Sequence, residues 1–315
     1  MPLHPDSVAF LDAAEAWRAE NGYGTWDTMG AERSRRALRE GIALGRPPKA
    51  DMARVEDCAI PARSGPRPCR IYVPHAAGPL PVVLYFHGGG YVIGGIEESD
   101  HETRRIAERT PAVVVSASYR LGPEHRFPAA VEDGLDALDW VAASAAALGG
   151  DPDRIMVGGT SAGGGLTAAV CRLAAERGGP AVALAYLLCP WLDLTLTLPS
   201  VDEFGEGFGL DRSELHWFTD CYLGAGAGAD DPLVSPARPP VPTGTPPTLL
   251  LVAECDPLRD EALAYAERLK AAGVLAGLHL APGLLHAFNV NAHLVPEAAE
   301  HLVPLDAALR QAAAG

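Results

Sequence analysis

Residues 155–166 read IMVGGTSAGGGL. A short apolar run leads into Gly159-Thr160-Ser161-Ala162-Gly163, and a small-residue helix pattern follows it. That succession predicts a strand that turns abruptly into a helix at Ser161. Glycines flank the serine because a Cβ at either position would strike neighbouring strand or helix backbone. A serine held there leaves the sheet edge near the positive end of a helix. An adjacent base then turns an otherwise poor nucleophile into an effective one. With 34 glycines in the chain, GxSxG alone carries little weight, and the strand-turn-helix context carries the inference.

The surrounding texture fixes the fold class. Two helical patterns, about 6–20 and 31–44, precede an Arg46-Pro47-Pro48 break. Short apolar runs at 55–60 and 69–73 then suggest an antiparallel pair. After them come strands at 82–86, 112–117, 155–158, 183–188, 248–252 and 275–280. Helical patterns at 99–109, 129–148, 162–177, 259–272 and 296–313 fall between and after these strands. Apolar strands without period-two polarity, separated by amphipathic helices, indicate a mostly parallel sheet covered on both faces. The alternation lapses over 195–236, which holds a helical pattern at 212–223 and a GAGAGADD tract. The chain is therefore expected to adopt an α/β fold: an eight-stranded sheet forming a catalytic core (49–194 and 237–315), with a discontinuous helical cap (1–48 and 195–236).

Composition excludes some function classes. A net charge of −15 argues against a nucleic-acid or anionic-membrane partner, because a phosphate-binding surface needs clustered Lys and Arg. No 18-residue apolar run occurs, and the start lacks a basic segment followed by an apolar one, so a cytoplasmic protein is expected. Six cysteines without CxxC spacing suggest free thiols rather than structural zinc or a disulfide framework.

A serine nucleophile needs a base, an orienter for that base, and donors where charge develops on the substrate oxygen. Parallel sheets gather such groups at the C-terminal ends of strands. The strand TLLLV is followed by Glu254-Cys255-Asp256, and GLHLA by Pro282-Gly283-Leu284-Leu285-His286. Of ten histidines, His286 alone follows a late strand in a glycine-containing loop. Asp256 is the orienter that position favours, with Glu254, Asp260 and Glu261 as rivals; the last two sit in the first turn of a helix, where carboxylates answer its dipole. The order Ser161, Asp256, His286 is that of the α/β-hydrolase arrangement. Upstream, a strand enters His87-Gly88-Gly89-Gly90-Tyr91, where bare backbone can approach a substrate oxygen. Gly89, Gly90 and Ala162 are the expected oxyanion-hole donors, and His87 is expected to brace the loop through its ring nitrogens. Ser99-x-x-Glu102 reads as a capping box opening a helix.

HGGGYVIGG, YRLGPEHRFPAAVEDG, GTSAGGGL, AECDPLRDE and GLLHAF together resemble the hormone-sensitive-lipase-like bacterial carboxylesterases, in their GTSAGG subgroup. The resemblance implies an α/β-hydrolase with Ser161 as nucleophile, Asp256 as acid and His286 as base. It also implies no metal or organic cofactor, small ester substrates of short to medium acyl chains, and frequent homodimers; no stable membrane anchoring is expected from the acidic charge and the lack of a long apolar run. Many members carry Asp where Thr160 stands, which bears on local bracing. Many carry Ala where Gly122 stands, which should only loosen a turn. An amidase or lactonase would use the same triad, and a non-catalytic ligand binder could share the fold.

Overall fold

The structure, a computed structural model, describes residues 3–42, 48–224 and 228–314. Helices α1 (Pro5–Glu20), α2 (Trp26–Met29) and α3 (Ala31–Ile42) come first. Strands β1 (Arg54–Ile60) and β2 (Arg67–Val73) pair antiparallel. Then β3 (Leu80–Phe86), α4 (Ile96–Arg109), β4 (Val113–Ala117), α5 (Ala129–Ser144), β5 (Gly150–Thr160), α6 (Ala162–Arg177) and β6 (Leu184–Leu188) alternate. Helices α7 (Pro199–Glu203) and α8 (Arg212–Leu223) interrupt them. The series resumes with β7 (Thr248–Cys255), α9 (Arg259–Ala271), β8 (Leu275–Leu285), α10 (Pro296–Glu300) and α11 (Val303–Ala314).

The strands form one eight-stranded sheet in the order β1-β2-β4-β3-β5-β6-β7-β8. From β4 to β8 every pairing is parallel. Strands β3, β4 and β6 are buried along their whole length, as a sheet covered on both faces requires. Successive side chains go to opposite faces. Leu84, Val115 and Val157 therefore pack with Leu138 of α5 and Leu166 of α6. Val83, Val114 and Met156 pack on the other face with Ile106 of α4 and Leu305 of α11.

Several expected boundaries shift. The expected strand at 275–280 continues to Leu285 through Pro282 and Gly283. Proline is tolerated there because β8 is an edge strand, where an N–H need not join a ladder. The expected C-terminal helix is two helices, broken at His301-Leu302, with Pro304 in the first turn of the second. Helix α4 begins at Ile96 with Gly95 as its cap, so Ser99 and Glu102 form no capping box. The Ser99 hydroxyl instead donates to the Gly95 carbonyl at 3.0 Å. Arg46 and Pro47 of the expected break, the end of the 31–44 helix and residues 225–227 of the GAGAGADD tract lie outside the described residues.

Two of the scattered cysteines meet after all. Cys58 and Cys69 are direct partners across β1 and β2, with sulfurs 2.8 Å apart as free thiols.

Gly122 does more than loosen a turn. A Cβ at Gly122 would stand 2.6 Å from the Cys221 carbonyl oxygen at the end of α8. Arg35 of α3 donates to the Gly122 carbonyl and, through Nε, to that of Val92, both at 2.8 Å. Gly122→Ala is thus expected to push α8 away and cost about 1–3 kcal/mol of stability, read as a lower Tm.

Candidate active site

The turn after β5 is as tight as its glycines suggest. A Cβ at Gly163 would lie 2.1 Å from the Phe86 carbonyl oxygen, and one at Gly159 would lie 2.5 Å from the same atom. Ser161 itself sits at φ 57°, a strained conformation for a residue with a side chain. Its N–H bonds the Leu188 carbonyl, and its carbonyl accepts from Gly165 and Trp191. Strand β6 and helix α6 thereby hold the strain in place.

The parallel sheet carries β7 and β8 to the same edge. The structure brings Ser161, His286 and Asp256 into one hydrogen-bonded chain. His286 Nε2 is 2.9 Å from Ser161 Oγ, and His286 Nδ1 is 2.8 Å from Asp256 Oδ2. Asp256 Oδ1 accepts the Leu258 N–H at 2.8 Å, and the Asp256 side chain is fully buried. The rival carboxylates are engaged elsewhere. Glu254 accepts the Gly283 N–H, Asp260 accepts the Ser200 N–H, and Glu261 accepts the Leu192 and Asp193 N–H groups. Among the other histidines, His279 pairs with His301, and the His293 ring packs at a tilt on that of His101.

Gly283, three residues before His286, is clamped on both sides. Glu254 holds its N–H, while His4 N–H and the Ser7 hydroxyl at the start of α1 hold its carbonyl at 3.0 and 3.1 Å.

Gly89 and Gly90 have φ of 116° and 60°, accessible to glycine and strained for other residues. A Cβ on Gly90 would run into the Phe218 ring of α8 at 2.4 Å. Among the described residues, no main-chain carbonyl accepts from the N–H groups of Gly89, Gly90 or Ala162. His87 braces this loop through one ring nitrogen rather than two. Its Nδ1 donates to the Gly88 carbonyl at 2.7 Å, and its ring stacks on Tyr119 at 4.3 Å. Burial pushes the His87 imidazole down to about 4, so it stays neutral.

These groups face a cavity of about 520 Å³ with mostly apolar walls. Trp17, Trp26 and Phe208 line it, as do Trp191, Leu215 and Phe218. Other aromatic residues near the cap pack elsewhere. Tyr23 stacks on Trp17 and Tyr91 on Tyr222, while Phe204 meets Phe208 edge-to-face and Trp217 packs at a tilt on Phe218.

Two residues near this centre carry no site reading from the sequence, where Cys189 is one of six scattered thiols and Glu102 part of a helix cap. Cys189, at φ 39° just beyond β6, brings its sulfur within 4.8 Å of ligand atoms of Asp256 and His286. Three such donors resemble a metal corner. However, the carboxylate and imidazole are bonded to each other, and burial raises the thiol well above its usual range. Glu102 is the other. It reaches the underside of the serine turn, where Thr160 Oγ1 lies 2.9 Å from Asn289 Nδ2 and 3.2 Å from the Tyr85 hydroxyl.

Comparison with known proteins agrees with this arrangement. A family model described as alpha/beta hydrolase fold matches residues 83–290. The chain is 36% identical to an ethyl acetate hydrolase of Pseudomonas putida over 99% of both chains. It is 41% identical to the carboxylesterase NlhH of Mycobacterium tuberculosis over 74% of each. A solved hyperthermophilic esterase from the archaeon Pyrobaculum calidifontis superposes with a TM-score of 0.91 at 35% identity, covering 100% of both chains. By sequence along its full length and by fold, this protein belongs to the hormone-sensitive-lipase-like carboxylesterases of the alpha/beta hydrolase family.

Proposed function

We propose that this chain hydrolyses carboxylic esters of short to medium acyl chain length through an acyl-enzyme on Ser161. One observation carries the reading: an unbroken Ser161–His286–Asp256 hydrogen-bond chain at the wall of an apolar cavity. In this mechanism His286 Nε2 takes the Ser161 proton as Oγ attacks the ester carbonyl carbon. The oxyanion that forms is held by the N–H groups of Gly89, Gly90 and Ala162. The imidazolium returns its proton to the leaving alcohol as the C–O bond breaks. Water then attacks the acyl-enzyme, gives its proton to His286, and the acid departs as Ser161 is reprotonated. Asp256 fixes the tautomer with the proton on Nδ1 and stabilises the imidazolium.

Helices α1–α3 and the segment 195–236 act as a cap over the core, closing the cavity with Trp17, Trp26, Phe208 and Phe218. The relative from Pseudomonas putida is named for a two-carbon acyl substrate, which supports the short-chain preference. A series of 4-nitrophenyl esters tests it: turnover is expected to peak at about four to eight acyl carbons. A maximum at long chains would overturn the chain-length reading. The matching 4-nitroanilides separate ester from amide preference, and the ester is expected to be much the faster.

The reading extends to setting and assembly. Among the described residues no helix is long and apolar enough to cross a membrane. Six unbridged cysteines suit the reducing cytoplasm. A homodimer would form along β8, an edge strand on which Leu278 and Leu280 are exposed.

A further inference from the structure

We propose that Glu102 is a positioning residue that ties the serine turn to the histidine loop through Thr160 and Asn289. The proposal rests on the reading of Ser161 as nucleophile and His286 as base.

Helix α4 follows the glycine loop and carries Glu102 beneath the sheet edge, where the residue is only 6% exposed. Its Oε2 accepts the Tyr85 hydroxyl of β3 at 2.6 Å, and its Oε1 accepts the Asn289 amide N–H. Asn289 Nδ2 also lies 2.9 Å from Thr160 Oγ1. Thr160 immediately precedes Ser161, and Asn289 lies three residues beyond His286. One carboxyl group therefore gathers β3, α4, the end of β5 and the loop after β8.

Hydrogen-bond valence shows why an acid suits this place. The Asn289 amide has two N–H groups, and these face Glu102 and Thr160. The Tyr85 hydroxyl has one, which faces Glu102. Ionised, Glu102 only accepts, so it fixes the polarity of every neighbour. Burial opposes ionisation and raises the group, while Tyr85, Asn289 and the nearby Arg105 charge pull it back. Glu102 hydrogen-bonds Tyr85 and Asn289, not Ser161 or His286, so its influence on them passes through Thr160 and Asn289. A small tilt of either segment alters the reach from Nε2 to Oγ, on which proton transfer depends.

The test compares Glu102→Ala, Glu102→Gln, Thr160→Val and the Gln/Val double variant with the unaltered protein. Glu102→Ala is expected to lower kcat on a 4-nitrophenyl ester about 10–100-fold, with KM within about twofold. Phosphonate labelling of Ser161, followed by mass spectrometry, should slow by the same factor. Glu102→Gln keeps the length and one acceptor but sets an N–H against the Tyr85 or Asn289 donor, so it should recover part of the loss and leave kcat about 5-fold down. Because both residues serve one network, the Gln/Val effects on kcat should fall short of additivity. If Glu102→Ala does not fold, this cycle decides the matter.

Unchanged kcat in folded Glu102→Ala would overturn the proposal, as would additive effects in the cycle. A loss confined to KM would also overturn it, since Glu102 borders the cavity and would then be a substrate contact. If the unaltered protein takes the phosphonate elsewhere than Ser161, the nucleophile reading itself falls, and this proposal with it.

Discussion

Replacing Ser161 or His286 by alanine is expected to lower kcat by about 10⁶, with the double variant no worse than either single one. In the proposed mechanism the two act as one unit across the 2.9 Å contact between Nε2 and Oγ, so losing either removes the same proton transfer. The serine variant is also a clean experiment. The main-chain bonds of residue 161 to Leu188, Gly165 and Trp191 do not involve the hydroxyl. Alanine tolerates φ 57° no worse than serine does. The variant should therefore melt close to the unaltered protein, and its lost turnover reports chemistry. Steady-state kinetics with a 4-nitrophenyl ester, beside a thermal melt, checks both halves. Near-full activity in His286→Ala would show that another group serves as base.

Asp256→Asn should cost about 10⁴ in kcat, for a reason visible in the contacts around the carboxylate. Oδ1 receives the Leu258 N–H at 2.8 Å, and Oδ2 faces His286 Nδ1 at 2.8 Å. An asparagine keeps its oxygen on the Leu258 N–H, because an amide nitrogen there would oppose another donor. Its NH2 then faces Nδ1 and requires that nitrogen to accept. The imidazole proton moves to Nε2, where it points at Ser161 and cannot receive the serine proton. The variant should keep the fold and bind substrate, so the loss belongs in kcat rather than KM. A variant with turnover within about tenfold of the original would remove Asp256 from the role assigned to it.

The features legible in the sequence were local ones. The serine turn could be read because its glycines answer collisions between atoms a few residues apart or on adjoining strands. The meeting of Asp256 and His286 could be read because parallel strands deliver their C-terminal loops to one edge. Glu102 could not be read correctly by the same means. Ser99 and Glu102 have the spacing of a helix cap, but the helix starts at Ile96, which turns Glu102 toward Tyr85 and Asn289. Those partners are 17 and 187 residues away, and no local pattern announces them. Strand β8 was cut short for a related reason. Pro282 and Gly283 normally end a strand, and only the position at the sheet margin lets this one continue. The walls of the cavity were equally hidden. Trp17 and Tyr23 stack on each other, yet only Trp17 faces the cavity, and that choice is made by packing.

The grip on Gly283 joins two tasks that are usually considered apart. The same carbonyl anchors the first turn of α1 and the stretch of backbone that presents the imidazole. Helix α1 also carries Leu11 and Trp17 to the cavity wall. Reshaping that wall to admit a bulkier ester would therefore disturb His286, the proposed base, as well as the volume available. Selection for wider substrate scope at α1 should carry a toll in turnover, whereas changes on α8, which makes no such bond, should separate the two.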